Sequence, residues 1–263
     1  MIKFSIIINT HNQDKFIYEA INSCLKQSYQ NFELIVLSTS NKKIQIKKFL
    51  KYRKKIKFIH KKPKFKQPEL NQMDKIYKGF KSSKGEYLLF LDGDDKFHKD
   101  KLKKLKEISK KYKIYCNQDL PLIFSKNFQK LLSIKSYKYN FFSKFLFNDW
   151  PQIYGTSSIL INKKILKKFF SETNPFSWKM LAIDAQIIFF CRKFYQQTNY
   201  LSGLTLKRLH DNNLGESYLN IFKKKFWTRR YMQFDYVKSL GGKQSFNCDY
   251  YITKIIYFFL RNL

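Results

Sequence analysis

Three carboxylates and one glycine close the run Tyr87-Leu88-Leu89-Phe90-Leu91-Asp92-Gly93-Asp94-Asp95. Five apolar or aromatic residues in a row read as a strand buried on both faces in a mainly parallel sheet. Like charges crowded at its exit repel unless something neutralises them. A divalent cation does so, since Mg²⁺ or Mn²⁺ takes hard oxygen ligands and keeps sites open for substrate phosphates. The same residues also suit a solvated turn capping a helix that begins near Lys99, because Asp and Gly are ordinary turn residues. A second acid, Asp184, stands just ahead of the apolar run Ile187-Ile188-Phe189-Phe190-Cys191. An acid that opens a buried helix ordinarily favours the helix dipole.

The elements that would position these groups alternate along the first hundred residues. Ile2 to Ile8 reads as a buried strand, and Asp14 as the cap of a helix with Ile17, Ala20, Ile21, Cys24 and Leu25 on one face. Phe32 to Leu37 gives a second strand, Ile44 to Lys54 a basic helix, and Ile56 to His60 a short strand. A helix with Leu70, Met73, Ile76, Tyr77 and Phe80 on one side precedes the strand Glu86 to Leu91. Such alternation implies βαβ units and an α/β fold with a parallel sheet. Ligands then bind beyond the carboxyl ends of the strands. That rule groups Asn9-Thr10-His11-Asn12, Ser38-Thr39-Ser40-Asn41 and the acidic turn. No Gly-x-Gly-x-x-Gly and no Gly-Lys-Ser/Thr loop is present, which argues against dinucleotide-binding and P-loop enzymes.

Beyond Asp100 the pattern loosens. Lys99 to Tyr112 reads as a basic helix, Lys113 to Cys116 and Leu122 to Ser125 as short strands, and Ser157 to Ile161 as a further strand leading into a helix at Ile165 to Phe170. Lys126 to Trp150 is aromatic without a clean period. The 263 residues, 44% hydrophobic and 18% aromatic, can bury a sizeable core. Lys and Arg outnumber Asp and Glu by 52 to 19, a formal charge of +33. Such a surface attracts phosphate-rich polymers, anionic lipid or acidic substrates, although an A/T-rich coding bias gives the same composition. The four cysteines are far apart, as expected of small buried residues in a reducing compartment. The N-terminus turns polar too soon for a signal peptide, and no stretch approaches the length of a bilayer span. These features point to the cytoplasm.

Taken together, the motifs resemble a family 2 glycosyltransferase of the GT-A (Rossmann-like) fold. Phe4 to Asn12 is similar to the opening strand and Thr-Tyr-Asn turn of that family, with His11 in place of Tyr. Gln27-Ser28-Tyr29-Gln30-Asn31-Phe32-Glu33-Leu34-Ile35-Val36 resembles its QTYxNFEIIV stretch. Gly79 and Lys84 to Asp95 resemble its G…GEY…FLDxDD run. Looser similarity continues through Gly155-Thr156-Ser157-Ser158, Ile183-Asp184 and Arg208-Leu209-His210-Asp211-Asn212-Asn213, covering residues 2 to 215. The resemblance implies an inverting enzyme. Asp92 and Asp94 would form the DxD motif around Mn²⁺ or Mg²⁺, with His210 as a further metal or diphosphate contact, and Asp95 would orient donor-sugar hydroxyls. Thr10, His11, Asn12, Ser38, Asp74 and Gly93 would contact the nucleotide sugar. Asp184 would be the general base. Ser38 stands where the family usually has an acid, Tyr77 where Asn is common, and Ile183 where Glu is common.

The domain layout expected is 1–215 for the GT-A domain, with 1–100 as the nucleotide-sugar half and 101–215 as the acceptor half. A basic, aromatic extension would follow over 216–263. Lys223 to Tyr231 mixes cations with aromatics, and Tyr250 to Leu260 reads as an interfacial helix suited to anionic lipid, or as one packed on its own domain or a second subunit. Implied partners are a UDP-linked sugar, a surface-polysaccharide or lipid-linked glycan acceptor, and the inner face of a membrane as a peripheral contact. A basic nucleic-acid-binding protein is the competing class; no nucleic-acid motif supports it. A non-catalytic family member is a third.

Overall fold

The computed structural model describes residues 3–125, 128–131, 150–195, 197–198, 201–210, 220–241 and 247–261. Its strands are β1 (Phe4–Thr10), β2 (Phe32–Ser38), β3 (Ile56–His60), β4 (Tyr87–Asp92), β5 (Lys96–Phe97), β6 (Cys116–Gln118), β7 (Leu120–Phe124), β8 (Gln129–Leu131), β9 (Ile159–Asn162), β10 (Gln197–Thr198) and β11 (Ser202–Arg208). Its helices are α1 (Ile17–Leu25), α2 (Pro68–Ser82), α3 (Lys101–Lys111), α4 (Lys163–Glu172), α5 (Ile183–Phe194), α6 (Lys224–Ser239) and α7 (Cys248–Arg261). A seven-stranded sheet runs in the order β10-β6-β9-β4-β1-β2-β3. β1 to β4 pair in parallel, whereas β9 lies antiparallel between β4 and β6.

Every residue of β1 is buried, because helices cover both faces of the sheet. The pleat divides its side chains between two cores. Ile7 joins Ile35, Phe90, Met73, Ile76 and the apolar faces of α4 and α5 on one side. Ile6 and Ile8 join Leu34, Leu89, Leu91, Ile21, Leu102 and Leu105 on the other. α2 lies close against β1 at Gly79, where a Cβ would come 2.6 Å from the Ile7 side chain. The glycine is needed for that approach.

Several local expectations are corrected. Asp14 is exposed and does not cap α1; Phe16 occupies the N-cap position without a side-chain bond. Ile44 to Lys54 is no α-helix but a 3-10 segment, Ile46–Tyr52, in which only Phe49 is buried. Phe49 and, in part, Tyr52 pack on the second core, whereas Ile46 and Leu50 are exposed, so the segment lacks a continuous apolar face. α4 begins earlier than expected, capped by the Asn162 side chain, which accepts from Lys164 N. A second, four-stranded sheet, β5-β11-β7-β8, joins strands from both sides of residue 100. The C-terminal helices are also tied to the first core. Tyr236 of α6 is fully buried, stacks edge-on against Trp178, and donates its hydroxyl to Gln186 O at 3.0 Å. No helix among the described residues is long and apolar enough to cross a membrane.

Candidate active site

The acidic turn lies at the carboxyl end of β4, next to the ends of β1 and β2. Asp92 Oδ1 accepts from Asn9 Nδ2 at 2.6 Å and from Gln72 Nε2 at 3.0 Å, while its backbone N–H donates to Ser157 Oγ. Gly93 N donates to Asn9 O. A Cβ at Gly93 would come 2.5 Å from Thr10 Oγ1 and 2.6 Å from Gln13 Oε1, so no larger residue fits. Asp94 Oδ2 lies 2.8 Å from His210 Nε2. The chain therefore brings together the acidic turn and the end of β11, more than a hundred residues apart.

Asp95 faces inward instead. Its Oδ2 accepts from Ser157 Oγ at 2.6 Å and its Oδ1 from Arg208 N at 2.9 Å, and the residue is buried. Both oxygens hold the turn to neighbouring segments. Arg208 completes the strap: its Nε donates to Asp94 O, its Nη2 reaches Glu19, and its guanidinium lies over Phe16 and Phe124. Phe16 in turn stacks on His210 with ring centroids 5.3 Å apart.

Thr10, His11 and Asn12 form one wall with Ser38, Thr39 and Ser40. Asn12, at φ +52°, donates its backbone N–H to Ser40 Oγ and accepts from Asn41 N; Asn is among the few residues that adopt this left-handed backbone readily. His11 Nδ1 lies 3.0 Å from Thr39 O. Ser38 is buried, and its hydroxyl accepts from Ser40 N. A small pocket opens beside this wall, lined among others by Ser38, Thr39, Lys61, Asp74 and Lys75. Asp74 pairs with Lys78 one helical turn on. It thus belongs to the pocket side rather than to the acidic turn.

Asp184 lies in the first turn of α5, where an acid favours the helix dipole, and accepts from Ala185 N at 2.8 Å. It also stands close enough to Asp92 to act on it electrostatically. Burial first, then the neighbouring Asp94, pushes Asp92 above the usual carboxylate range, with Asp184 adding to the effect. Burial and the charges of Asp94 and Asp92 push Asp95 up as well. Such a cluster has a deficit of positive charge that a bound cation would relieve. Among the described residues no three His, Cys, Asp or Glu side chains converge as a ligand set. A cation at this turn would therefore be held by only one or two carboxylates, those of Asp92 and Asp94, and completed by substrate phosphates.

Sequence reasoning missed several supports. Gln72 bridges Asp92 and Thr156. Lys75 is buried, donating to Thr10 O at 2.9 Å and Thr39 Oγ1 at 3.4 Å; in sequence it is one of three lysines of α2, with nothing to set it apart from Lys78 and Lys81. Ser157 bonds both Asp92 and Asp95. Beneath them, Lys101 Nζ donates to Asp119 Oδ1, Ser157 O and Thr205 Oγ1 in full burial. Asp211, Asn212 and Asn213, and the aromatic positions 132–149, lie outside the described residues.

The model of glycosyl transferase family 2 matches residues 5–170. The chain belongs to that family. It is 31% identical over 160 residues to an uncharacterized glycosyltransferase of Rickettsia felis, a match that spans 60% of this chain and 24% of the relative. It is 33% identical over 113 residues to the poly(ribitol-phosphate) beta-N-acetylglucosaminyltransferase TarS of Staphylococcus aureus, covering 39% of this chain and 18% of TarS. The chain thus spans a quarter or less of the length of these two relatives. The structure of TarS 1-349 in complex with UDP-GlcNAc superposes with a TM-score of 0.61 at 15% identity, over 99% of this chain and 72% of that one. The mannosyltransferase PcManGT of Pyrobaculum calidifontis, in complex with GDP-Man and Mn²⁺, gives 0.61 at 9% identity, over 98% and 69%. The mixed α/β fold with a mostly parallel central sheet is that of these GT-A glycosyltransferases.

Proposed function

We propose that this chain transfers a sugar from a nucleoside-diphosphate sugar, UDP-linked, to a hydroxyl of a surface polysaccharide or lipid-linked oligosaccharide, with inversion at the anomeric carbon. The observation that carries the reading is the junction of two acids of different setting. Asp94, 2.8 Å from His210, belongs to the turn at the end of β4, and Asp184, in the first turn of α5, is an acid whose charge adds to that around Asp92. Family membership and the UDP-GlcNAc and GDP-Man complexes of the two structural neighbours support the donor class.

Thr10, His11, Asn12, Ser38 and Asp74 hold the nucleoside side, with Gly93 keeping the turn close to Thr10. Asp92, Asp94 and His210 would hold Mn²⁺ or Mg²⁺, which when bound supplies positive charge against that developing on the departing diphosphate. Asp184 takes the proton of the acceptor hydroxyl as its oxygen attacks the anomeric carbon from the face opposite the leaving group. The new C–O bond forms as the bond to the phosphate oxygen breaks, and that oxygen keeps the electron pair. The logic of the displacement is that of an inverting glycosidase with an acceptor hydroxyl in place of water. A panel of nucleotide sugars, assayed for hydrolysis and transfer with Mn²⁺, tests the reading. Turnover of one UDP-sugar is expected, and inertness toward all of them would count against it.

A further inference from the structure

α7 carries an apolar stripe that faces away from the molecule. Tyr251, Ile252, Ile255, Phe258 and Phe259 recur at helical spacing. Ile255 is 55%, Phe258 62% and Phe259 65% exposed. The opposite side of the helix is the one that packs. Asp249, Tyr250 and Thr253 are buried, Tyr250 meets Phe234 of α6, and Tyr257 stacks on Tyr231 at 4.3 Å. Asp249 is held by Arg230, with Nε 2.9 Å from Oδ1 and Nη2 2.6 Å from Oδ2, and by Trp150 Nε1. The hairpin is thus fixed from within while large side chains stand outside. Large apolar side chains exposed side by side along one helix face mark an interaction surface.

Charge selects what covers it. Residues 220–261 include nine Lys or Arg against two Asp, and Asp249 is already satisfied inside the hairpin. Lys254 and Arg261 are exposed on α7 itself. Just ahead of α6, Ile221 and Phe222 are exposed beside Lys223, Lys224 and Lys225. A second copy of the chain would bring the same cations to the stripe and repel. An anionic bilayer supplies both the apolar interior and the opposite charge. With 14 residues, α7 is about 21 Å long, too short for a hydrocarbon core of about 30 Å. It can lie in the interface but not span it.

We propose that the outer face of α7 is a docking surface for anionic lipid, which holds the protein against a membrane without crossing it. The test is co-sedimentation of the full chain with phosphatidylcholine vesicles, with and without about 30% phosphatidylglycerol, at two salt concentrations. The protein should partition to the anionic vesicles, more weakly at high salt, and stay off the neutral ones. The double variant Ile255→Glu/Phe259→Glu should lose partitioning at least about tenfold with its melting temperature retained. Lys254→Glu/Arg261→Glu, which alters only exposed charges, should weaken it several-fold and gives an independent reading if the first pair fails to fold. Failure of the wild type to bind anionic vesicles overturns the proposal, as does equal binding by wild type and variants. It is also overturned if light scattering shows a dimer that Ile255→Glu/Phe259→Glu converts to monomer, for then a second copy covers the stripe.

Discussion

At the scale of single residues, one carboxylate should govern the reaction and another the donor. If Asp184 is the base, Asp184→Asn keeps nucleotide binding while kcat falls by about 10²–10⁴, the usual contribution of a positioned base. Unchanged turnover would remove it from that role. Lys75 offers a second test, in stability. Burial lowers its pKa to about 8 from 10.5, so between those values the unfolded chain binds more protons than the folded one. The Lys75 contribution to stability therefore rises with pH from about 8 to about 10.5. Chemical denaturation across this range should show a smaller rise in Lys75→Met than in the wild type. The acidic pair Asp92 and Asp94 was legible in sequence because three charges crowded at the end of an apolar run break the ordinary alternation of core and surface. Gln72, Lys75 and Ser157 were not, since each is an ordinary polar residue until the topology sets it beside β1 and β4.

At the scale of elements, the acidic turn is held by contacts that converge from β1, α2, the segment leading into β9, and β11. Lys101 and Asp119 form a fully buried pair beneath it, with Thr205 N and Oγ1 also donating to Asp119. Lys101→Met leaves that carboxylate without its cation and should cost about 3–5 kcal/mol in urea unfolding. The double variant Lys101→Met/Asp119→Leu should recover part of the loss, since both charges are then gone. If the double variant is no more stable than the single one, the pair is not what sets the stability there. β1, β2 and β4 could be read from sequence because burial on both faces leaves continuous apolar runs. The second sheet could not, because β5 has two residues and its partner β11 lies about a hundred positions away. β9 likewise reads as one more strand, and nothing in Ile159–Asn162 announces that it runs antiparallel between two strands of a mostly parallel sheet.

At the scale of the whole molecule, the C-terminal helices are both core and surface. Tyr236 and Leu240 join the first core, so removal of residues 220–263 should lower the melting temperature sharply and expose Phe189 and Trp178. Tyr236→Phe, which loses only the bond to Gln186 O, should cost about 1 kcal/mol. The aromatic and basic character of this region was visible in the sequence; which aromatics turn inward was not, because α6 carries apolar residues around much of its circumference. The net charge of +33 is dispersed over the chain, yet the fold gathers a cluster of acids at the end of β4. That local reversal of sign is the centre of the account, and a calorimetric titration with UDP tests it most directly. UDP should bind the wild type with Mn²⁺ and at least about tenfold more weakly without it, and Asp94→Asn should abolish the difference. Binding that is indifferent to both Mn²⁺ and Asp94 would contradict it.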